Sequence, residues 1–276
     1  MPSDKQQNGQ GGHVSLVVRE YQAKDRQSVI QIYSMGILEL VVDTAFRSLK
    51  YHTESLLIYF LFTVAELTCR VKRGVTITGC LEPVISGRAG TNSRWPFAVS
   101  FMVTKSWWML GLVPALVLCA RYYCSRLVIH DFLQYMLSTD LRDIEEYYMN
   151  SPDRCFWVAE KEGKVVGVVA ASGDRTTGSL ELLRMSVDTN CRKCGLGKAL
   201  CRKVMEYAAT EKYTSIKLGT VGYTGAALRL YESVGFRWLE NINGFQFPGT
   251  IHHNLFFRIF FRVYQSRYRL DLQNQV

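Results

Sequence analysis

The sequence predicts an α/β domain that is interrupted by a long apolar segment. From about residue 140 onward, short alternating stretches typical of strands are separated by two stretches with the periodicity of amphipathic helices. Before that point, two strongly apolar runs at 55–68 and 106–120 enclose a polar stretch at 69–95. A strand-like stretch at 13–21 and a helix capped by Asp25 come first, so the apolar segment is expected inside the domain.

The C-terminal elements can be assigned in order. Glu162-Gly163 lies between two alternating runs and predicts a hairpin turn. A stripe of apolar residues at helical spacing after Gly195 predicts a long helix. The tail at 251–268 alternates apolar and basic residues, which indicates either a last strand or a basic segment at a membrane surface. The predicted strands are 155–161, 164–171, 180–187 and 215–220, and the predicted helices are 195–211 and 225–233.

Composition limits the kinds of partner. The chain has 276 residues, a net charge of +9 and 48% hydrophobic residues, so it can form a core and favours an anionic partner. No nucleic-acid module is readable, so the charge fits a membrane surface or a phosphorylated ligand better. Eight scattered cysteines and a polar stretch at 1–12 predict a reducing compartment. Cys191 and Cys194 have CxxC spacing without a second pair, so no metal is expected.

The chemistry is expected where a strand ending at Val187 is followed by the turn 192–197, of sequence RKCGLG, and a helix. Glycines at 195 and 197 let backbone amides approach a ligand closely, because they have no Cβ. The first amides of the helix have no intrahelical acceptor, and the helix dipole adds positive potential. The sequence therefore predicts a pyrophosphate site. Its residues are Arg192, Lys193, Cys194, Gly195, Leu196, Gly197 and Lys198.

These residues carry a family resemblance. Arg192-x-x-Gly195-x-Gly197 resembles the R/Q-x-x-G-x-G/A signature of the GNAT superfamily of acyl-CoA transferases, and the segment 226–236 (AALRLYESVGF) resembles its A-x-x-x-Y-x-x-x-G-F element. The two motifs cover about 140–239. The resemblance implies an α+β GNAT fold, with a central mixed and mostly antiparallel sheet flanked by helices and an inserted apolar membrane hairpin. It also implies acetyl-CoA as co-substrate.

The remainder of the chain resembles the camello-like branch, the membrane-bound N-acetyltransferases that include cysteine S-conjugate and aspartate acetyltransferases. The segments VREYQAKDRQSV, Ser138-Thr139-Asp140 and CFWVAEKEGKVVG carry this likeness, together with the apolar region inside the domain. The polar loop 69–95 departs from the branch, in which a more continuous apolar region is expected. It is either a genuine insertion or an error in the gene model.

The GNAT resemblance assigns roles to residues of this chain. It implies that Met185, Ser186 and Val187 form a splayed strand edge that bonds the pantetheine arm, and that Tyr231 is the general acid near the thioester sulfur. Glu181 matches the general base of the histone-acetyltransferase branch, although many acetyltransferases deprotonate the amine through water instead. Even spacing would place Glu181 on one strand face with Leu183, Met185 and Val187, and would place Arg184 and Ser186 on the other. On that other face, Arg184 could bind an acidic group of the substrate.

The expected organisation is a disordered tail at 1–13, a strand and helix at 14–50, a membrane-associated insertion at 51–128 with the loop 69–95, and the acetyltransferase core and tail at 129–276. Both halves of the domain must lie on one side of a membrane, so the number of crossings is zero or two. Each apolar run is shorter than the ~20 residues of an upright crossing, which is consistent with a re-entrant or monotopic hairpin. We expect an endoplasmic-reticulum membrane protein whose active site faces the cytosol.

The expected reaction is acetyl transfer to the amine of a small amino acid or a cysteine S-conjugate. Two alternatives remain open at this point: a protein lysine as acceptor, and a membrane scaffold that binds acetyl-CoA without turnover. The expected partners are therefore an amine substrate, acetyl-CoA and membrane lipid, with no nucleic acid and no metal. The sequence carries no signal for the oligomeric state.

Overall fold

A computed structural model describes residues 16–51, 57, 60–61, 64, 68, 95–251 and 255–272. The predicted tail at 1–13 and nearly all of the loop 69–95 lie outside these residues, as does most of the first apolar run. At the positions described in that run, the chain is helical, and Leu57, Phe60 and Leu61 are exposed.

The strands in the described ranges form one seven-stranded sheet in the order β1-β2-β3-β4-β5-β7-β6. Only β4 and β5 run parallel, whereas the other neighbouring pairs are antiparallel. The prediction of a mixed and mostly antiparallel sheet flanked by helices is therefore confirmed. The strands are β1 Leu16–Glu20, β2 Arg154–Lys161, β3 Lys164–Asp174, β4 Ser179–Val187, β5 Ser215–Val221, β6 Arg237–Asn243 and β7 Tyr264–Asp271.

The helices agree with the sequence most closely in the C-terminal half. Two of them match the predicted ranges 195–211 and 225–233, whereas the second apolar run is the middle of a helix of 44 residues that contains Pro114. The predicted tail at 251–268 contains a short helix and then a strand, and β6 was not predicted. The helices are α1 Arg26–Phe46, α2 Trp95–Ser138, α3 Leu196–Thr210, α4 Gly225–Ser233 and α5 Leu255–Phe260, with a π-helical turn at Glu145–Met149.

The turn between β2 and β3 is the predicted hairpin. Glu162 and Gly163 have φ values of 52° and 77°, as the two central residues of a type I′ turn require. This turn fixes the register, so that Lys161 lies opposite Lys164. At the start of α1, Asp25 lies in a 3₁₀ turn and accepts a hydrogen bond from the amide of Gln22 at 3.0 Å.

The chain divides into two compact units. The sheet unit comprises Met1–Glu39, Phe132–Asn243 and Tyr264–Val276, and the second unit comprises Leu40–Asp131 and Gly244–Val263. Inside the second unit, the buried Arg121 donates hydrogen bonds to the Ala45 carbonyl at 2.9 Å and to Ser48 Oγ at 2.5 Å. These bonds provide acceptors for the guanidinium of a residue that is only 1% exposed.

The sheet unit has two hydrophobic cores, one on each face of the sheet. On one face, α3 and α4 cover the sheet through Leu200, Val204 and Tyr231. On the other face, α1 and the end of α2 pack on β2, β3 and β4 through Val29, Tyr33 and other apolar side chains. Strands β5, β7 and β6 contribute no residue to this second core, so it ends at β4.

One helix among the described residues has the length and apolar composition to cross a membrane, the segment Ala23–Leu49 that includes α1. Its side chains Val29, Ile32 and Tyr33 are buried in the core of the sheet unit. The core helix of a soluble domain passes the same test, so this helix is weak evidence for a membrane segment.

Candidate active site

Strands β4 and β5 form a fork in the middle of the sheet. They pair only where Ser179–Glu181 lie beside residues 215–217, and the last pair is Glu181 with Lys217. Beyond this pair β4 runs on to Val187 and β5 to Val221 without a ladder between them. Backbone groups on that edge of β4 are therefore available to pair with an extended ligand, as an added strand would.

A β-bulge at Arg184 changes which side chains share a face of β4. The register with β3 shifts there, and Arg184 has a φ of 52°. As a result, Met185 and Val187 pack in the α3 core, as Leu182 does. Leu183 packs in the opposite core. The expectation that Glu181, Leu183, Met185 and Val187 share one face is therefore wrong, because even spacing holds only in a strand without an inserted residue.

The start of α3 has the geometry of an anion site. Gly195 is the N-cap, with a φ of 86° in the left-handed region. The first intrahelical hydrogen bond runs from the Ala199 amide to the Gly195 carbonyl at 3.0 Å. The amides of residues 196–198 precede that bond and have no intrahelical acceptor. The exposed Lys193 and Lys198 add positive charge.

Close packing at Leu196 and Gly197 places the start of α3 beside the fork. Leu196 is buried in the α3 core. At Gly197, an added Cβ would lie 2.7 Å from Leu230 Cδ2 of α4 and 3.5 Å from Met185 Cε of β4. The absence of a side chain at Gly197 therefore allows α3, α4 and the open edge of β4 to approach one another.

The two other loop residues make contacts of their own. Arg192 forms an ion pair with Glu39 of α1 at 2.8 Å, and its Nε donates to the Val187 carbonyl at 3.1 Å. Both charged side chains are 42% exposed. Cys194 is exposed, and its Sγ donates to the Cys191 carbonyl at 2.6 Å. A ligand at the loop therefore competes with Glu39 for Arg192.

We expect Glu39→Gln to tighten CoA binding by up to about fivefold, because an exposed ion pair is worth roughly 0.2–1 kcal/mol and its loss frees Arg192 for phosphate. Isothermal titration of the purified chain with CoA measures the change. Glu206→Gln is a matched control, since Glu206 also forms an exposed pair, with Lys203 on α3. Weaker binding in Glu39→Gln would instead mean that Glu39 holds Arg192 in its binding position.

Tyr231 lies on α4 and points into the core beside the fork. It is 7% exposed, and its hydroxyl donates to Met185 Sδ at 3.8 Å. Burial raises the pKa of Tyr231 above its ordinary value, so the phenol stays protonated at neutral pH. The structure thus brings the predicted acid next to Met185, one of the predicted cofactor-binding residues.

Glu181 and Ser186 lie away from the α3 core. Glu181 is exposed at the vertex of the fork, directly beside Lys217. Ser186 Oγ donates to the Ile32 carbonyl of α1 at 3.1 Å, and a Cβ at Gly36 would collide with the same Oγ. Ser186 therefore contributes backbone to the open edge while its side chain anchors α1.

A buried charged network beside the bulge was not predicted as a site feature. Arg184 Nε donates to Asp140 Oδ2 at 2.7 Å, and the Tyr148 hydroxyl donates to the same oxygen at 2.5 Å. The side chain of Arg184 is 17% exposed and that of Asp140 is 4% exposed. The sequence signal that could have revealed the pair is an arginine inside an apolar strand, which needs a buried counter-charge.

A metal cluster and a ligand cavity are two further features by which a reaction centre is recognised. Within the part of the chain that the structure describes, no group of three or more His, Cys, Asp or Glu side chains could hold a metal ion. A cavity of about 500 Å³ is lined by Lys24, Gln31 and Met35 of the α1 region and by Lys164 of β3, and none of the predicted site residues lines it.

Comparison with known proteins identifies the class of protein. The Acetyltransferase (GNAT) family matches residues 121–236, which include the fork, the glycine-rich helix start and Tyr231. The chain belongs to the GNAT family and is an acetyltransferase enzyme. A GNAT-family acetyltransferase from Staphylococcus aureus superposes with a TM-score of 0.46 and 15% identity, over 94% of this chain and 99% of that one.

The similarity is more specific within that family. The chain is 38% identical to the N-acetylaspartate synthetase of Homo sapiens over 97% of its length and 77% of the relative's. It is 31% identical to N-acetyltransferase 8B of Homo sapiens, over 80% of this chain and 83% of that protein. These relatives confirm the camello-like branch that the sequence predicted.

Proposed function

We propose that this protein transfers acetyl from acetyl-CoA to the amine of a small amino acid, with aspartate as the leading acceptor. The observation that carries the proposal is the continuity between the open edge of β4 and the unpaired amides at the start of α3. The relatives named N-acetylaspartate synthetase support the choice of acceptor.

The residues present fit acetyl-CoA. The fork offers backbone groups of Met185 and Val187 to a pantetheine arm, and the unpaired amides at the start of α3 suit a pyrophosphate. Lys193, Lys198 and Arg192 supply the positive charge, with Gly195 and Gly197 allowing close approach. When bound, acetyl-CoA supplies the activated thioester, and the protein supplies alignment and proton transfer.

The two proton transfers are assigned to different faces of the sheet. Tyr231 donates a proton to the leaving thiolate from the α3 side, since its phenol stays protonated next to Met185. Glu181 accepts the proton of the amine at the fork vertex. Because Glu181 is exposed, a water between the amine and its carboxylate can carry that proton.

We also propose that the protein acts at the endoplasmic-reticulum membrane, with its active site in the cytosol and the segment 51–128 in contact with lipid. The exposed apolar side chains of the second unit support the contact with lipid, since large apolar surfaces mark membrane or protein contacts. They include Leu57, Phe60, Leu61, Leu112, Leu116, Tyr122 and Tyr123.

The deciding experiment follows acetyl transfer from labelled acetyl-CoA by detergent-solubilised protein. We expect aspartate to be acetylated, and we expect Arg192→Glu to abolish the transfer by placing an acid at the phosphate loop. The other acceptors are an S-benzylated cysteine and a lysine peptide. Selective acetylation of one of these would show that the acceptor is an S-conjugate or a protein lysine instead of aspartate. CoA binding with no product from any amine would mean a non-catalytic scaffold.

A further inference from the structure

A row of cations crosses the C-terminal half of the sheet in register. Lys217 of β5 lies directly opposite Arg269 of β7, and Arg269 lies directly opposite Arg237 of β6. Neighbouring strands are about 4.8 Å apart, so the three side chains begin within about 10 Å of one another. Like charges directly opposite repel across a sheet, so the row favours the binding of an anion.

The row lies on the face that the helices of the sheet unit leave open. Ile216, Leu218 and Leu270 alternate with the cations along their strands and are buried in the α3 core. Lys217, Arg269 and Arg237 therefore point to the opposite face. The core formed by α1 and α2 stops at β4, so it does not reach these three strands.

Few carboxylates neutralise the row. Arg269 pairs with Asp271 at 2.7 Å, whereas Lys217 and Arg237 pair with no carboxylate among the described residues. Glu181 lies directly opposite Lys217 at the other end of the row, so three cations have two neighbouring acids. Lys217 and Arg269 are adjacent cations, which suits the two carboxylates of a dicarboxylic amino acid. The neighbouring Arg267 is already paired with Glu240 at 3.2 Å.

The row begins where the reaction is expected. Lys217 is in the last residue pair of the fork, and its partner is Glu181. A ligand whose carboxylates contact Lys217 and Arg269 therefore holds its amine near the Glu181 carboxylate. Cations next to an acid at the open end of the fork are complementary to an amino acid with two carboxylates and one amine.

We propose that Lys217 and Arg269 bind the carboxylates of a dicarboxylic amino acid and select it over neutral amino acids. The proposal deepens the proposed function and rests on it. Lys217→Ala should raise KM for aspartate at least about tenfold, because hydrogen bonds between charged groups are among the strongest in proteins. KM for acetyl-CoA should change less than twofold. Lys161→Ala, at another partly buried strand lysine, is the matched control.

A second readout does not depend on turnover. Succinate, a dicarboxylate without an amine, should raise the Tm of the full chain in detergent, whereas propionate should not. Lys217→Ala should lose the succinate shift with little change in the Tm measured without ligand, because the lost attraction to Glu181 and the lost repulsion from Arg269 largely cancel. A lysine with only a structural role would lower that Tm instead.

The outcomes separate this inference from the proposed function. An unchanged KM for aspartate in Lys217→Ala overturns the inference and leaves the function intact. Acetylation of another amine but not of aspartate overturns the proposed acceptor. The inference is also overturned if wild type shows no succinate shift or if Lys217→Ala keeps it, whichever amine is acetylated.

Discussion

Tyr231→Phe should lower kcat by about 10²- to 10⁴-fold, the usual contribution of a positioned general acid or base. The variant keeps the ring that packs edge-on against Phe236 at 5.9 Å and loses only the hydroxyl. That hydroxyl makes a long bond to Met185 Sδ at 3.8 Å, so the free energy of unfolding should change by less than about 1 kcal/mol. Steady-state kinetics with saturating acetyl-CoA measure kcat, and thermal unfolding measures stability.

Tyr207→Phe is the control for this variant. Tyr207 lies on α3 and packs edge-on against Trp157 at 5.1 Å, so it also loses a hydroxyl from a packed ring. Its kcat should stay within twofold of wild type. Retention of full turnover by Tyr231→Phe would show that the leaving thiolate takes its proton from water or needs none.

The raised pKa of Tyr231 also predicts a pH dependence. Because burial holds the pKa of the folded phenol above its unfolded value, the linked stability is present at neutral pH and is lost as pH rises through the raised value. Tyr231 should therefore cause no loss of activity between about pH 6 and pH 9. A fall in kcat within that range that disappears in Tyr231→Phe would contradict this assignment.

Asp140→Ala should destabilise the sheet unit by about 3 kcal/mol, because it leaves the guanidinium of Arg184 buried without its counter-charge. The hydroxyl of Tyr148 loses its acceptor in the same variant. For a chain of this size the loss corresponds to a fall in Tm of about 6–12 °C. Asp143→Ala is the control, since the side chain of Asp143 is exposed and accepts a hydrogen bond from the amide of Glu146 at 3.0 Å.

A double variant tests the physical cause. Replacing a whole buried ion pair by apolar residues is often close to neutral, whereas removing one partner is not. Asp140→Leu combined with Arg184→Met should therefore recover most of the Tm lost in Asp140→Ala. If the double variant is as unstable as the single one, the cost comes from the packing around Tyr148.

The sequence alone predicted the local elements of the core and the local geometry of the glycine-rich helix start. The turn at Glu162-Gly163, the helix start at Gly195 and Gly197, and the position of Tyr231 on a short helix depend on local backbone preferences and on motif spacing. These features are readable because the residues that determine them are close together along the chain. The short helix before β7 was not predicted from the sequence.

Only the tertiary structure decided which side chains meet. Even spacing on β4 predicted that Glu181 and Met185 share a face, but the bulge at Arg184 separates them, because pairing with β3 accommodates one extra residue. The ion pair between Arg184 and Asp140 joins residues 44 positions apart.

The order of the strands in the sheet could not be predicted from the sequence either. Lys217, Arg269 and Arg237 are distant in the chain and become neighbours only because β7 lies between β5 and β6. A sequence determines the chemistry available at each position through local preference and composition. Long-range strand pairing determines which charges face each other, and no local signal encodes that pairing.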